Sequence, residues 1–490
     1  MNEPTKLAPK ERLAIAQQDM PSQPPQTRRN NMSEVALGYT PEMARTEASR
    51  CLDCPTKPCV AGCPVGVDIP AFVKKIECGD CAGALSVIKR TNLLPAICGR
   101  VCPQEQQCMK ACTVGKMLKD PMKAVAIGRL ERFAADCGSA TPGSATPDSA
   151  SPQIPDSAAA PVAVIGAGPA SLAFAADMAR AGRKVVIFEA LHKPGGVLVY
   201  GIPEFRLPKK IVEAEIENLR SLGVEIRTNF VVGRSRPLSK LFEEDGFAAA
   251  FIGSGAGLPK FMGIPGENLV GVFSANEYLT RSNLMKAYTF GASEDGSADT
   301  PIVRGGKVAV FGGGNVAMDA ARTALRLGAE SVSLIYRRTV AEMPARAEEI
   351  WHAEEEGVEF RVLQNPTRIL GDENDRVTGI ECLRYELGEP DASGRRSPVP
   401  VAGSEFMLEA DTVIVAIGNE SNPLIAATTP EIKTDKRGRI IVDGNNETSM
   451  RNVFAGGDIV HGAATVILAM GEGRRAAAAV IKRLGAKQNS

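Results

Sequence analysis

The chain has no charge to spare. Lys plus Arg and Asp plus Glu each number 57, so the net charge is zero. No basic excess is left to grip a nucleic-acid backbone or an anionic membrane surface. An export signature is lacking too: residues 1–20 contain no apolar core of signal-peptide length, which predicts a cytoplasmic address. Histidine is scarce, and the three present, His192, His352 and His461, stand too far apart for a metal triad; each reads as a surface or packing residue. One uncharged run, Ser157–Ala176, has the length of a bilayer span. Gly166, Gly168 and Pro169 at its centre read instead as a strand, a tight turn and a helix start. What these absences leave is a soluble protein, and 490 residues at roughly 150 per domain give about three domains.

Cysteine is what the sequence has in abundance. Ten of the 12 cysteines fall between Cys51 and Cys112. Without an export signal, such density favours metal ligation over disulfides. The runs are Cys51-x2-Cys54-x4-Cys59-x3-Cys63-Pro64 and Cys98-x3-Cys102-Pro103-x5-Cys108-x3-Cys112. These spacings are those of cubane iron–sulfur sites, where the last cysteine of a run often serves the other cluster. Zinc is the rival, but zinc sites usually come as paired CxxC knuckles, and the main runs hold only one.

Residues 1–137 form a first, helix-prone block. Residues 138–160 are built mainly from Gly, Ser, Ala, Thr and Pro, without Lys, Arg or an aromatic, and read as a flexible linker. From Pro161 onward, short β-branched runs alternate with alanine-rich helical stretches, the signature of parallel sheets with crossover helices. Two glycine-rich turns 146 residues apart, at Gly166 and Gly312, imply two nucleotide-binding domains.

The first turn, Gly166-Ala167-Gly168-Pro169-Ala170-Ser171, follows a strand and opens a helix. Its glycines allow the tight turn and the approach of a pyrophosphate, and Ser171 fills the small third position. Glu189, 21 residues past Gly168, ends the next strand. A carboxylate there accepts ribose hydroxyls and repels a 2′-phosphate, which suits FAD or NAD. The second turn, Gly312-Gly313-Gly314-Asn315-Val316-Ala317, is followed by a strand ending in Tyr336, Arg337 and Arg338. Guanidinium groups in that place bind a 2′-phosphate by charge-assisted forks, so NADP is expected; a solvated basic strand end is the competing reading. Near the C-terminus, Gly456-Gly457-Asp458 closes a strand before a helical run. In two-dinucleotide flavoproteins the matching aspartate accepts a ribityl hydroxyl. The fold class is therefore α/β, with two Rossmann-like dinucleotide-binding domains, the NADPH domain inserted in the FAD domain, preceded by an α-helical [4Fe–4S] domain. Expected boundaries are 161–290 for the first FAD half, 291–420 for the NADPH domain and 421–490 for the second FAD half.

Glu34–Thr40, Leu94–Glu105, Ala126–Phe133, Tyr200–Pro208 and Tyr336–Thr339 resemble the glutamate synthase small-subunit family of NADPH-dependent FAD/iron–sulfur oxidoreductases. That family also includes the large subunit of NADH-dependent ferredoxin:NADP oxidoreductase and the N-terminal half of dihydropyrimidine dehydrogenase. The resemblance runs from about Met20 to Ala479. It implies two [4Fe–4S] clusters, the first on Cys51, Cys54, Cys59 and Cys112, the second on Cys63, Cys102, Cys108 and Glu131. It also implies that Gly196, Arg206 and Thr465 join Gly166, Gly168, Ser171, Glu189 and Asp458 in holding FAD. For Glu131 the competing reading is a plain salt bridge, and for Arg206 a surface salt bridge. Cys98, Cys137 and Cys382 are surplus, Cys98 as packing. Cys78 and Cys81 form a CxxC whose bland reading, two small residues at a helix–helix turn, outweighs a redox dithiol.

Hydride transfer between nicotinamide and flavin needs stacking more than acid or base, so the lack of a catalytic dyad is expected. The implied activity is an NADPH:acceptor oxidoreductase. Its partner is the glutamate synthase large subunit, a small FAD/[2Fe–2S] subunit as in the bifurcating enzymes, or ferredoxin. Two rivals carry less: a thioredoxin-reductase-type dithiol enzyme, whose inserted domain would need a CxxC, and a non-catalytic electron-wire subunit, against which the intact second turn argues.

Overall fold

In the computed structural model, residues 7–139, 160–289, 300–392 and 394–486 are described. The cysteine-rich block is helical. Its main elements are α1 (Cys81–Lys89), α2 (Pro95–Val101) and α3 (Ile127–Ser139). Asp80 caps α1 by accepting the Gly83 N–H at 2.8 Å. Helix α3 carries Ile127, Leu130 and Ala134 into the core, on the spacing of one helical face. It continues through Gly138, past the expected start of the linker; the rest of that segment, 140–159, lies outside the described residues.

The chain then forms β1 (Val162–Ile165), α4 (Pro169–Arg180), β2 (Val185–Phe188), β3 (Glu225–Arg227) and β4 (Ala249–Ile252) before crossing to a second sheet. That sheet takes β5 (Val272–Ser274), β6 (Lys307–Phe311), α5 (Asn315–Arg326), β7 (Ser331–Tyr336), α6 (Ala347–Glu355) and β8 (Glu359–Val362). An antiparallel excursion follows: β9 (Gln364–Gly371), β10 (Val377–Pro390), β11 (Arg396–Pro400) and β12 (Phe406–Glu409). The chain returns through β13 (Thr412–Val415) to β14 (Val453–Ala455) and α7 (Val466–Ala486).

Among the described residues the first sheet has the order β14-β4-β1-β2-β3 and the second β5-β13-β6-β7-β8. Both are parallel throughout. Their inner strands are buried on both faces, as sheets covered by helices on each side must be. Because β14 joins the first sheet after the whole second sheet has been laid down, the second domain is an insertion, as expected from the motif order. Its start differs from expectation: β5 pairs with β13 well before residue 291, since a strand belongs to the sheet that takes its hydrogen bonds. The excursion β9–β12 had no counterpart in the sequence reading, because its strands alternate exposed and half-buried positions and carry no glycine motif. Among the described residues no helix is long and apolar enough to cross a membrane. Ser157–Ala176 does enter a strand, a turn and a helix from Val162 on.

Candidate functional site

At the first turn Gly166 has φ +90°, and a Cβ there would lie 2.7 Å from the Gly253 carbonyl oxygen, so no other residue fits. Gly168 begins α4, and the nearest atom to a Cβ placed on it is 3.9 Å away. The helix N-terminus thus faces open space, where its N–H groups can meet a pyrophosphate. Gly196, with φ +57°, is pressed against this turn: its Cβ would sit 2.9 Å from the Gly168 Cα. Ser171 is fully buried, and its Oγ would be 2.2 Å from a Cβ on Gly253.

Glu189, at the end of β2, accepts the Ala167 N–H at 2.7 Å and the Leu191 N–H at 2.8 Å. Burial pushes its carboxyl upward against these bonds. Asp458 begins the turn after β14 and accepts the Ala464 N–H at 3.2 Å; burial raises it to about 6. Thr465 Oγ1 accepts the Leu468 N–H at 3.3 Å, capping α7, and also Gln107 Nε2 at 3.3 Å. Two residues the sequence reading passed over belong here. The Ser254 hydroxyl is buried without a hydrogen-bond partner, and the Tyr200 phenol, raised to about 12 by burial, feels both Asp458 and Glu189. An open helix end, a buried carboxylate at a strand end and an orphaned hydroxyl fit an adenine dinucleotide. His461 is taken by Glu472, whose buried carboxylate also accepts the Gly457 N–H.

The second turn repeats the geometry. Gly312 has φ +139° and a Cβ there would meet the Ala416 carbonyl oxygen at 2.4 Å. Gly313 lies under the Tyr336 ring, while Gly314 has its first neighbour, Pro344 Cγ, at 4.0 Å. Asn315 Oδ1 accepts the Arg346 N–H at 2.9 Å, Ala317 is buried and Val316 is exposed. The two arginines do not act as one group. Arg338 is buried, its Nε donating to the Arg396 carbonyl and its Nη2 to Asp391, each at 2.7 Å. Arg337 is exposed and, among the described residues, makes no hydrogen bond or ion pair. The excursion β9–β12 causes this split: the β10–β11 hairpin covers the inner arginine and leaves the outer one to solvent.

Arg206 departs further from expectation. Its Nη1 donates to both Asp319 carboxylate oxygens at 2.8 and 2.7 Å, and Glu349 stands 3.1 Å from its Nε. The guanidinium joins the FAD body to α5 and α6 of the inserted domain rather than joining the first turn, and the pairing is buried, not superficial. Phe205 beside it lies under Arg326 and Arg322, at 3.9 and 4.8 Å from ring centroid to guanidinium carbon.

The cysteines fall into two groups. Cys51, Cys54, Cys59 and Cys112 line one small cavity, walled by Pro58, Pro70, Val114 and Val125. Among the described residues no three metal-ligating side chains converge on a point that could hold a single ion. Burial pushes Cys51 up to about 11 and Cys59 to about 12; such thiols ionise only against a bound cation. Cys63, Cys102, Cys108 and Glu131 are one another's electrostatic neighbours. Glu131 is buried and raised to about 7 by desolvation. Its hydrogen bond comes from Asn92 Nδ2 at 2.6 Å, and no cation pairs with it among the described residues, so the salt-bridge reading fails. Asn92, which also accepts the Leu94 N–H at 2.9 Å, is a positioning residue that no spacing rule announces. Cys98 packs between Asn92 and Met470, with its Sγ 3.6 Å from Asn92 Oδ1 and 3.8 Å from the Met470 sulfur, and it is also the hydrogen-bonding neighbour of Cys102.

Residues 160–473 match the family described as pyridine nucleotide-disulphide oxidoreductase, and residues 28–142 match dihydropyrimidine dehydrogenase domain II, 4Fe-4S cluster. The chain is therefore an oxidoreductase of the two-dinucleotide class with an iron–sulfur domain ahead of it. Over 483 residues, 96% of this chain and 97% of the relative, it is 38% identical to the glutamate synthase [NADPH] small chain of Halomonas elongata. It is 40% identical over 446 residues to the NADP(+)-dependent formate dehydrogenase subunit beta of Moorella thermoacetica, covering 87% of this chain and 59% of that one. The chain belongs to the glutamate synthase NADPH small-chain family. Mycobacterium tuberculosis FprA, solved in complex with NADPH, shares the fold of the dinucleotide-binding body, with a TM-score of 0.55 and 20% identity over 67% of this chain and 85% of that one.

Proposed function

We propose that this chain is an NADPH-dependent oxidoreductase that moves electrons between NADP(H), FAD and two [4Fe–4S] clusters and a partner redox subunit. The observation that carries this reading is how the second cysteine group meets the FAD body. Gly471 on α7 lets the Pro64 carbonyl oxygen come to 2.9 Å from where a Cβ would stand. Cys98 touches Met470, and Gln107 bonds Thr465. The helix that follows Asp458 is thus packed directly on the loops bearing Cys63, Cys102 and Cys108.

Bound FAD exchanges hydride with a nicotinamide and single electrons with iron–sulfur clusters. The chain's own residues hold and orient these groups. Gly166, Gly168 and Gly196 clear the pyrophosphate path, and Glu189 and Asp458 offer acceptors to ribose and ribityl hydroxyls. Gly312 and Gly314 open the second path, and Arg337, the outward arginine, is the candidate for the 2′-phosphate. Cys51, Cys54, Cys59 and Cys112 are the ligands of one cluster, and Cys63, Cys102, Cys108 and Glu131 those of the other. We take the glutamate synthase large subunit as the partner, because the end-to-end match is to that enzyme's small chain.

Purified anaerobically, the chain should carry about eight irons with acid-labile sulfide; stoichiometric zinc without sulfide overturns the cluster reading. Glu131→Ala should lower iron to about four per chain by removing one cubane, and unchanged iron and spectra return Glu131 to a structural role. Co-purification of a large amidotransferase chain supports the partner assignment, and a small FAD/[2Fe–2S] chain in its place replaces it.

A further inference from the structure

Five cysteines stand outside the two ligand groups, and the structure pairs two of them in a way the spacing conceals. Cys81 is the first residue of α1, and Cys137 lies in the last turn of α3. Their thiols are hydrogen-bonded to each other. Gly138, next to Cys137, brings the two backbones together: a Cβ on it would lie 3.3 Å from the Cys81 carbonyl oxygen and 2.8 Å from Leu85 Cδ2. A disulfide between two helices needs their backbones to come this close. The CxxC formed with Cys78 is thus not the relevant pair, because the neighbour of Cys81 comes from the far end of the domain. Both thiols are partly exposed, as are Cys51, Cys54 and Cys63, whereas Cys59, Cys102, Cys108 and Cys112 are buried; what sets the pair apart is that its members neighbour each other and lie outside both ligand groups. Arg45 lies beside the pair, its Nη2 2.6 Å from where a Cβ on Gly79 would stand and its charge felt by Cys81.

We propose that Cys81 and Cys137 are a two-electron thiol–disulfide site, oxidised by small-molecule disulfides such as oxidised glutathione, that staples α1 to α3 and leaves the cluster ligands untouched. Because both thiols are partly exposed, either can open the exchange. The opening thiolate attacks one sulfur of the oxidant, breaking that S–S bond and releasing one glutathione. The other cysteine then attacks the protein sulfur of the mixed disulfide and releases the second. The protein loses two electrons and two protons, and the oxidant is reduced to two thiols. The new bond ties down the helix that carries Glu131 and Arg132.

The test uses the full holo-chain, incubated anaerobically with oxidised glutathione and then alkylated, digested and mapped by mass spectrometry. The expected result is one new cross-linked peptide pair, Cys81 with Cys137, lighter by two hydrogens, with the visible cluster absorption unchanged and dithiothreitol restoring both thiols. Cys78→Ser should leave the cross-link in place. Cys81→Ser and Cys137→Ser should each abolish it and leave a glutathione adduct on the remaining thiol. A Cys78–Cys81 link, an adduct on the native chain that never resolves, or full alkylation of both thiols after the oxidant would each overturn the proposal.

Discussion

The helices that follow the two glycine turns both bury an apolar face, but only the second adds a network of buried ion pairs. Helix α4 is held by apolar contact. Phe174 stacks on Phe251 with centroids 4.5 Å apart, and Gly473 on α7 lets the two helices close until a Cβ would lie 2.1 Å from the Ala170 carbonyl oxygen. Helix α5 buries Met318, Ala321 and Leu325 in its own core and adds a layer of charge. Fully buried Arg322 donates to Glu356 at 3.0 and 2.8 Å and also bonds Glu349. Arg326 reaches Glu356 at 2.6 Å, and Arg28 joins the same carboxylate from the N-terminal segment at 2.8 Å. The difference follows from position. One helix lies inside its own domain, where close packing suffices, while the other lies where three parts of the chain meet, and directional pairs fix a register there.

Breaking the charged side should have the largest effect. Arg322→Ala leaves Glu349 and Glu356 short of a buried partner and is expected to cost about 3–5 kcal/mol. Trp351, the single tryptophan, sits on α6 and reports the urea midpoint of this region by its fluorescence. A midpoint within error of wild type would mean that the other arginines hold α5 without it. On the apolar side, Gly473→Ala should destabilise by about 1–3 kcal/mol through overpacking, despite the better helix propensity of alanine, and should lower the flavin-to-protein ratio after gel filtration.

Selectivity at the second turn sharpens the contrast. Arg337→Ala should weaken NADPH roughly ten- to a hundredfold, the worth of a charge-assisted bond of about 1.5–3 kcal/mol, and leave NADH unchanged in stopped-flow flavin reduction. Arg338→Ala should lower the unfolding midpoint instead, and the opposite pattern would exchange the two roles. The smallest effect concerns pH. Burial opposes the ionisation of Glu356, but the bonds from Arg326 and Arg322 outweigh it and hold the carboxyl well below its ordinary 4.5; Glu349 is likewise held at about 2. A depressed folded-state value makes the unfolded chain bind protons first, so this stability is present above pH 4.5 and is lost as pH falls below it. Glu356→Gln should flatten that acid limb, measured as urea midpoint against pH, and an unchanged slope would locate the acid sensitivity elsewhere.

Glycine spacing announced both turns because the geometry each demands is local: positive φ at Gly166 and Gly312, and no room for a Cβ. Cysteine spacing separated the metal-type chemistry from the rest for the same reason. The partners of Arg206 and Arg338 were not legible, because an arginine carries no mark of what will stand opposite it. Asp319 and Glu349, which meet Arg206, and Asp391, which meets Arg338, are brought there by the inserted domain and its β10–β11 hairpin. Glu131 stood out as an acid on an apolar helix face, but Asn92, its hydrogen-bond donor, lies 39 residues away and on another element.

The order of domains, the two nucleotide turns with their contrasting strand ends, and the iron–sulfur character of the cysteine block were determined by the sequence alone, since each depends on residues within a few turns of one another. Which cysteines share a cavity, which of two adjacent arginines faces solvent and which thiol stands beside Cys81 were decided only by the tertiary structure. Those are facts about which surfaces meet, and burial and pairing across distant segments are set by packing rather than by local pattern.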